Sequence, residues 1–185
     1  MRSGTKRKEI HSLKDTTALL KTKLFFLILF GISIYANAQR HSEFLGLPLG
    51  GDRDDFVEAL EDKGFNFEEE NNEYTTLSGL FDGISSRIEV HATPRTHTVH
   101  IVIVYFDEIM GNEIGLLMKT NQIRKKLRQK YGSWDYTHEK GLEEWSSTYA
   151  RISLGKKRLK GNSYKTLYVQ WQDRSGWEAL QREKE

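Results

Sequence analysis

The chain has 185 residues, 37% of them hydrophobic and 29% charged, with 28 Lys and Arg side chains against 26 Asp and Glu. This length suits a single domain, since domains commonly contain about 100–200 residues. Nine Phe, eight Tyr and four Trp provide material for a core, which excludes a wholly disordered chain. The sequence contains no cysteine, which excludes disulfide bonds, thiolate zinc sites, cysteine nucleophiles and a lipid-modified cysteine.

The N-terminal 38 residues have the pattern of a secretory signal peptide. Thirteen uncharged residues, Leu24 to Ala36, follow two lysines, and the small-residue sequence Ala-Asn-Ala ends at Ala38. A membrane anchor is the alternative, but a spanning helix needs about 20 apolar residues. The basic segment, the short apolar segment and the Ala-x-Ala site together predict export with cleavage after Ala38. The mature protein is then expected to be periplasmic or secreted, with no stable membrane insertion.

The first 19 residues do not share this pattern, because they are polar and show no periodicity. One interpretation is that translation begins at Leu20, from a leucine-type alternative start codon. Residues 1–19 would then not be translated, and a compact signal peptide would remain.

Removal of residues 1–38 changes the charge of the protein. The segment holds seven of the 28 basic side chains and two of the 26 acidic ones, which leaves 21 basic and 24 acidic groups and a net charge of −3. Proteins that bind nucleic acid need a dense positive surface. We therefore do not expect a nucleic acid partner.

The mature domain, residues 39–185, begins with a turn and a helix. The apolar run 44–51 closes in turn residues, and Asp52 is a suitable N-cap for a helix that Gly64 ends in a left-handed conformation. Strands are then predicted at 74–81, 84–92 and 97–106, with apolar and polar side chains alternating along 84–92.

A second helix is predicted over 114–131, with Gly132 as its cap. The remaining predicted elements are strands at 145–154 and 164–172 and a short helix at 176–184. In that short helix, Trp177 and Leu180 are the expected packing pair.

The two halves can be aligned as an internal repeat. Leu60 and Leu127 begin similar helix ends, and the 47 positions from Leu60 to Asp107 nearly equal the 46 positions from Leu127 to Asp173. The alignment predicts pseudo-repeats at about 44–107 and 113–173, each with one helix and three strands. The alternative is that any two segments with amphipathic helices and alternating strands look this similar.

The predicted fold class is α+β. Adjacent strands joined by short turns should pair antiparallel, with the helices packed on one face of the sheet. In the last strand, Leu167, Val169 and Trp171 are expected to face the helices. Their equivalents in the repeat alignment are Ile101, Ile103 and Tyr105.

The segment from Phe44 to Phe65 resembles the start of small signal-bearing proteins of Bacteroidetes bacteria. Those proteins begin with a phenylalanine-x-glycine-isoleucine-proline run, here Phe44 to Pro48, and an F-x-x-x-L-x-x-K-G-F helix, here 56–65. They are mostly uncharacterised, so this resemblance implies an envelope location and no activity. The helix-then-strands outline is also similar to beta-lactamase-inhibitory protein and to small outer-membrane assembly lipoproteins, which implies that the domain binds other proteins.

The only candidate for a metal site is the pair of Glu89 and His100. If Ala92 pairs with His97, Glu89 lies opposite His100, and this pair could hold a metal with a third ligand. Such a pair is more typical of a solvated cross-strand contact. No metal or cofactor is therefore predicted.

The acidic clusters and the serines give no clear catalytic site. Residues 68–70 and the pair Glu143 and Glu144 are expected in solvated loops, because they lie in polar stretches and neighbouring residues of an extended chain point apart. None of the serines lies in a G-x-S-x-G sequence, so no hydrolase nucleophile is indicated.

The face of the sheet opposite the helices is the predicted binding site. Tyr, Trp and Arg are enriched in recognition surfaces, because they combine a large contact area with a polar group. The residues of this type expected on the face in the second half are Trp145, Tyr149, Arg151, Tyr164 and Tyr168. In the first half the same face is expected to show more apolar side chains: His100, Val102, Val104 and Phe106.

We therefore predict an exported, non-catalytic binding module with a protein partner in the cell envelope. Two alternatives stay open. One is an envelope enzyme that acts on glycan or peptidoglycan, with Glu143 or Glu144 as its acid/base group. The other is a structural subunit that associates with itself through the apolar part of the sheet.

Overall fold

The computed structural model describes residues 42–106, 113–132, 135–139, 141–158 and 165–185. Its helices are α1 (Arg53–Glu61), α2 (Glu113–Tyr131) and α3 (Arg174–Lys184). Its strands are β1 (Glu43–Phe44), β2 (Leu47–Pro48), β3 (Asn66–Glu70), β4 (Tyr74–Phe81), β5 (Ile84–Ala92), β6 (Val99–Phe106), β7 (Asp135–Glu139), β8 (Leu142–Ser146), β9 (Ala150–Arg158) and β10 (Lys165–Asp173). The predicted α+β class is confirmed. The predicted signal peptide, residues 1–38, lies outside the described residues.

No helix within the described ranges has the length and apolar character needed to cross a membrane.

Strands β3 to β10 form one antiparallel sheet in the order β3-β4-β5-β6-β10-β9-β8-β7. β6 and β10 are the central neighbours, so the strands that follow α1 form one half and those that follow α2 form the other. Each half has four strands, whereas the repeat alignment predicted three and the individual elements predicted for the second half included two. The edge strands β3 and β7 were missed because they are fully exposed and lack apolar alternation. The internal repeat itself stays a prediction.

The predicted strand 145–154 is wrong, because a turn divides it into β8 and β9. The hydroxyl of Ser147 accepts hydrogen bonds from the backbone N–H groups of Tyr149, at 3.3 Å, and Ala150, at 3.1 Å. A serine that bonds to the backbone ahead of it stabilises a tight turn in place of an extended strand. The alternation of side chains between the two faces of the sheet is therefore not continuous across this turn.

α1 and α2 pack on the same face of the sheet. The buried cluster there contains Phe56 and Leu60 of α1, Ile123, Leu127 and Tyr131 of α2, and inward residues of the central strands such as Val104, Val169 and Trp171. Ile123, Leu127 and Tyr131 form the buried apolar stripe of α2. Burial of this apolar surface is the main favourable contribution to folding.

The register of β6 against β10 corrects the prediction for β6. The pairs that face the helices are Leu167 with Phe106, Val169 with Val104, and Trp171 with Val102. Ile101, Ile103 and Tyr105 therefore lie on the opposite face, where they were not expected. An alignment that is wrong by one residue turns every side chain of a strand to the other face. It also explains why the face predicted for β6 looked too apolar for a wet surface: Val102, Val104 and Phe106 are core residues.

The predicted caps of α1 and of α2 behave differently. The carboxylate of Asp52 accepts a hydrogen bond from the N–H of Asp54 at 2.8 Å, so the predicted N-cap of α1 is confirmed. Gly64 has a φ of +91°, the left-handed conformation predicted for it. Gly132 does not adopt a left-handed φ. A Cβ atom there would instead lie 2.5 Å from the carbonyl oxygen of Arg128, a contact that only glycine tolerates.

α3 begins two residues before its predicted start because Asp173 is its N-cap. The side chain of Asp173 is fully buried and accepts hydrogen bonds from the N–H groups of Gly176, at 2.9 Å, and Ser42, at 3.3 Å. One carboxylate therefore joins the end of β10, the start of α3 and the beginning of the described chain. Trp177, which was expected to pack, keeps 40% of its surface exposed.

The other end of α3 holds the loop between β5 and β6. Glu183 accepts hydrogen bonds from the N–H of Arg95 at 2.9 Å, the N–H of Thr96 at 3.2 Å and the hydroxyl of Thr96 at 2.8 Å. Desolvation opposes the shift, but these hydrogen bonds hold the pKa of Glu183 below its usual value. α3 is thus fastened at both ends across the end of the central strands.

His100 lies under the first turn of α3. It is 5% exposed, and a Cβ on Gly176 would lie 2.6 Å from its own Cβ. Its Nδ1 atom has no hydrogen-bond partner among the described residues. Burial, with a smaller contribution from the charge of His91, lowers the pKa of His100 from 6.5 to about 4. The imidazole is therefore neutral in the folded protein at neutral pH.

We expect His100 to make the fold sensitive to acid. Between pH 6.5 and about 4, the imidazole is protonated in the unfolded chain and neutral in the folded protein. The free energy of unfolding should therefore fall across this window, by up to about 3 kcal/mol for this residue. Urea unfolding of the wild type and of His100→Gln at pH 7, 5 and 4 measures the difference. An equal loss of stability in both proteins would contradict the assignment.

Candidate functional site

The face of the sheet turned away from α1 and α2 is named here the open face. Its central members are Arg87, Glu89 and His91 on β5, Ile101, Ile103 and Tyr105 on β6, Tyr168, Gln170 and Gln172 on β10, and Arg151, Ser153 and Gly155 on β9. Tyr105 is paired with Arg87 on one side and with Tyr168 on the other, so the two halves of the sheet meet there in one surface.

A connected row of aromatic and charged side chains crosses the first half of the open face. The rings of Tyr74 and His91 lie 5.1 Å apart, and His91 Nε2 lies 3.3 Å from Glu89 Oε2. The hydroxyl of Tyr105 donates to the same oxygen at 3.3 Å. The guanidinium of Arg87 lies 5.0 Å from the centre of the Tyr105 ring and 3.7 Å from Glu89 Oε1. These contacts connect the side chains of the row to one another and fix their directions.

Glu89 is the charged centre of this row. Desolvation raises the pKa of Glu89, but the hydrogen bond and charge of His91 and the charge of Arg87 outweigh it, so the pKa lies below its usual value. Burial, together with the negative charge of Glu89, raises the pKa of Tyr105 well above its usual value. Glu89 is thus an anion at neutral pH, and Tyr105 keeps the proton that it donates to Glu89.

Tyr168 continues the surface across the centre of the sheet. Its ring lies 6.3 Å from that of Tyr105 and covers the backbone of Gly155, its partner on β9. A Cβ at Gly155 would lie 2.8 Å from the hydroxyl oxygen of Tyr168. The missing side chain is therefore what allows the ring to lie flat against β9. This partial burial raises the pKa of Tyr168.

The five predicted binding residues do not share one surface. Arg151 and Tyr168 lie on the open face as expected. Tyr149 lies in the turn between β8 and β9, with 48% of its surface exposed. Trp145 is 1% exposed and pairs with Ile152 on the helix side, so its placement on the binding face was wrong. Tyr164 lies outside the described residues.

Trp145 was misplaced for a specific reason. The prediction treated 145–154 as one strand, in which Trp145, Tyr149 and Arg151 share a parity. The turn at 147–149 breaks that alternation, so Trp145 and Arg151 lie on opposite faces. On the helix side, Trp145 packs against Tyr136, with the ring centres 5.2 Å apart.

The acidic clusters lie on strands, so their assignment to solvated loops was wrong. Glu143 is 3% exposed on the helix side, where Arg124 donates to it and the hydroxyl of Tyr136 donates at 2.9 Å. Glu144 lies on the open face, 3.3 Å from Arg151. The two carboxylates therefore point to opposite sides of the sheet. On β3, Glu70 forms an ion pair with Arg53.

The pairing proposed for a metal-binding pair does not occur. Ala92 pairs with Val99, so Glu89 faces Ile103 and contacts His91 rather than His100. Within the described ranges, no three or more His, Asp or Glu side chains come close enough together to hold a metal ion.

The sequence argument missed the row around Glu89. The alternation of Arg87, Glu89 and His91 on β5 was visible, but the incorrect face of β6 placed Tyr105 on the opposite side of the sheet. If the alternate residues Val102, Val104 and Phe106 had been assigned to the core face of β6, Tyr105 would have been placed beside Arg87.

No family model, curated protein or solved structure matches the chain.

We expect Gly155→Ala to disturb the open face at its centre. The new Cβ would displace the ring of Tyr168, and overpacking of this kind costs about 1–3 kcal/mol of unfolding free energy. Urea unfolding of Gly155→Ala, Tyr168→Ala and the double variant gives the coupling between the two sites. The substitution at 155 should cost less when Tyr168 is absent. Strict additivity of the two single changes would contradict the packing described here.

Proposed function

We propose that the protein is an exported, non-catalytic binding module that recognises a protein partner through its open face. The observation that carries this proposal is the continuous row from Tyr74 to Tyr168 on the face of the sheet opposite α1 and α2. Export is supported by the signal-peptide pattern of residues 1–38 and by the envelope location that the sequence resemblance implies.

The composition of the open face suits a protein partner. Tyrosine and arginine dominate the residues that contribute most to protein interfaces. Arg87 keeps 38% of its side chain exposed while its guanidinium is held over Tyr105. At the ends of the sheet, Tyr149 and Leu80 are 48% and 67% exposed. Side chains that are already fixed lose little conformational freedom on binding, so more of the contact energy is available as affinity.

The edges of the sheet argue against self-association by strand addition. β3 and β7 are the outer strands, and all of their residues are exposed. β3 carries three successive glutamates, Glu68 to Glu70, and β7 carries Asp135 and Glu139. Charged side chains on edge strands oppose edge-to-edge pairing. These edges therefore favour a partner that binds the open face over a second copy that extends the sheet.

The proposal is tested by cross-linking the tagged chain in its native organism and identifying the captured proteins by mass spectrometry. The test variant is Arg87→Ala with Tyr149→Ala, which removes one exposed side chain of the open face and one of the turn that joins β8 to β9. The control is Lys125→Ala with Gln129→Ala, two exposed residues of α2 on the other side of the sheet. We expect a saturable partner with the wild type and the control, and at least about a tenfold loss with the test variant.

Three results would contradict the proposal. Equal capture by the test variant and the control would remove the open face as the binding surface. Capture of only the protein itself would favour the structural subunit. Capture of no protein by a correctly folded wild type would exclude a stable protein partner and favour a glycan ligand.

A further inference from the structure

A cavity of about 570 Å³ lies where α3 meets the open face. Its floor is formed by side chains of the central strands, Ile101, Gln170 and Gln172, and the first turn of α3 adds Arg174 and Trp177. Arg151 of β9 also lines the cavity. This volume lies in the range of about 300–1,000 Å³ that is usual for small-molecule sites.

The neutral polar groups of the cavity are free to bind a ligand. The side-chain amides of Gln170 and Gln172 form no hydrogen bond with any residue that the structure describes. Each amide has an acceptor oxygen and a donor nitrogen, so the pair can bind groups that both donate and accept. Both glutamines are half-buried on central strands, which limits the positions that their amides can take.

The charges at the cavity favour an anion. Arg151 Nε lies 3.3 Å from Glu144, so that carboxylate is neutralised. Arg174 donates from Nη1 to the carbonyl of Thr148 at 3.3 Å and forms no ion pair with a described residue. Because a guanidinium has five N–H donors, both arginines keep donors for a ligand. Arg174 is therefore the uncompensated positive charge, and a carboxylate is the group that a planar guanidinium binds best.

We propose that this cavity binds an acidic saccharide, a sugar of the uronic acid type. The indole of Trp177, 40% exposed, offers a negative ring face that attracts the C–H groups of a pyranose ring. Gln170 and Gln172 bind neighbouring hydroxyls as both donor and acceptor. Arg174, with Arg151 beside it, binds the sugar carboxylate.

An acidic side chain of a peptide fits the same cavity less well. Protein anchors contribute most where they fill a well-packed pocket from which water is excluded. The apolar residues that line the cavity are Trp177, Ile101 and Ala150, and the free groups are neutral amides that match hydroxyls. The site is also separate from the row around Glu89, so its existence does not depend on the protein partner proposed above.

The test is a titration of the purified protein, followed by NMR of its indole N–H signals. The probes are D-glucuronate, D-glucose, acetate and a tetra-aspartate peptide, and Trp177→Phe identifies the signal of Trp177. We expect D-glucuronate to shift that signal saturably and to bind at least about tenfold more tightly than D-glucose, because only the acid engages Arg174.

Two variants probe the residues that hold the sugar. Gln172→Glu adds a negative charge to the floor at nearly constant shape and should weaken D-glucuronate binding at least about tenfold. The matched control, Gln129→Glu on the exposed side of α2, should bind as the wild type does. Arg174→Gln should remove the preference for D-glucuronate over D-glucose.

The proposal is overturned by any of four results. D-glucose or acetate alone could bind as tightly as D-glucuronate. The peptide could shift the Trp177 signal while D-glucuronate does not, which would assign the cavity to a protein partner. The third contradicting result is that neither D-glucuronate nor the peptide binds. Finally, Gln172→Glu and Gln129→Glu could bind D-glucuronate equally well.

Discussion

The pairing of β6 with β10 is the constraint on which the rest of this structure depends. It joins the strands that follow α1 to the strands that follow α2 over six paired positions, from Leu167 with Phe106 to Gln172 with Ile101. On one face the paired residues are apolar and lie in the core shared by both helices. On the other face they are Tyr105 with Tyr168 and Ile103 with Gln170, which make the open face continuous. One register therefore determines both the core and the candidate binding surface.

The side chains of the open face are held in defined positions by polar groups that are partly buried and therefore need hydrogen-bond partners. Glu89 is 14% exposed and accepts from both His91 and Tyr105, because a buried carboxylate without partners would be costly. At the other end, the buried carboxylate of Asp173 sets the start of α3. That position brings Arg174 and Trp177 over β10 and closes one side of the cavity. The two proposed ligands thus depend on different polar contacts, although both use the face that the central register creates.

Local chemistry made part of this fold predictable. The helix of α1 follows from Asp52 and Gly64, and the strand β5 from the uninterrupted alternation of its side chains. Three features were not predictable in the same way. β3 and β7 have no buried residue, so nothing in their sequence marks a strand. The turn at Ser147 lies inside a stretch that reads as extended. The face of β6 depends on its partner across the sheet, which is a long-range choice. The last two errors moved Trp145 and Tyr105 to the wrong faces of the candidate site.

Amide hydrogen exchange of the full chain tests the central pairing most directly. If β6 and β10 join the two halves, their amides should exchange most slowly, because both edges of each strand are hydrogen-bonded at the centre of the sheet. The amides of β3 and β7, at the outer edges, should exchange fastest among the strands of this sheet. Exchange of β6 and β10 as fast as that of β3 and β7, with protection kept in β5 and β9, would show two separate sheets and contradict the continuous open face.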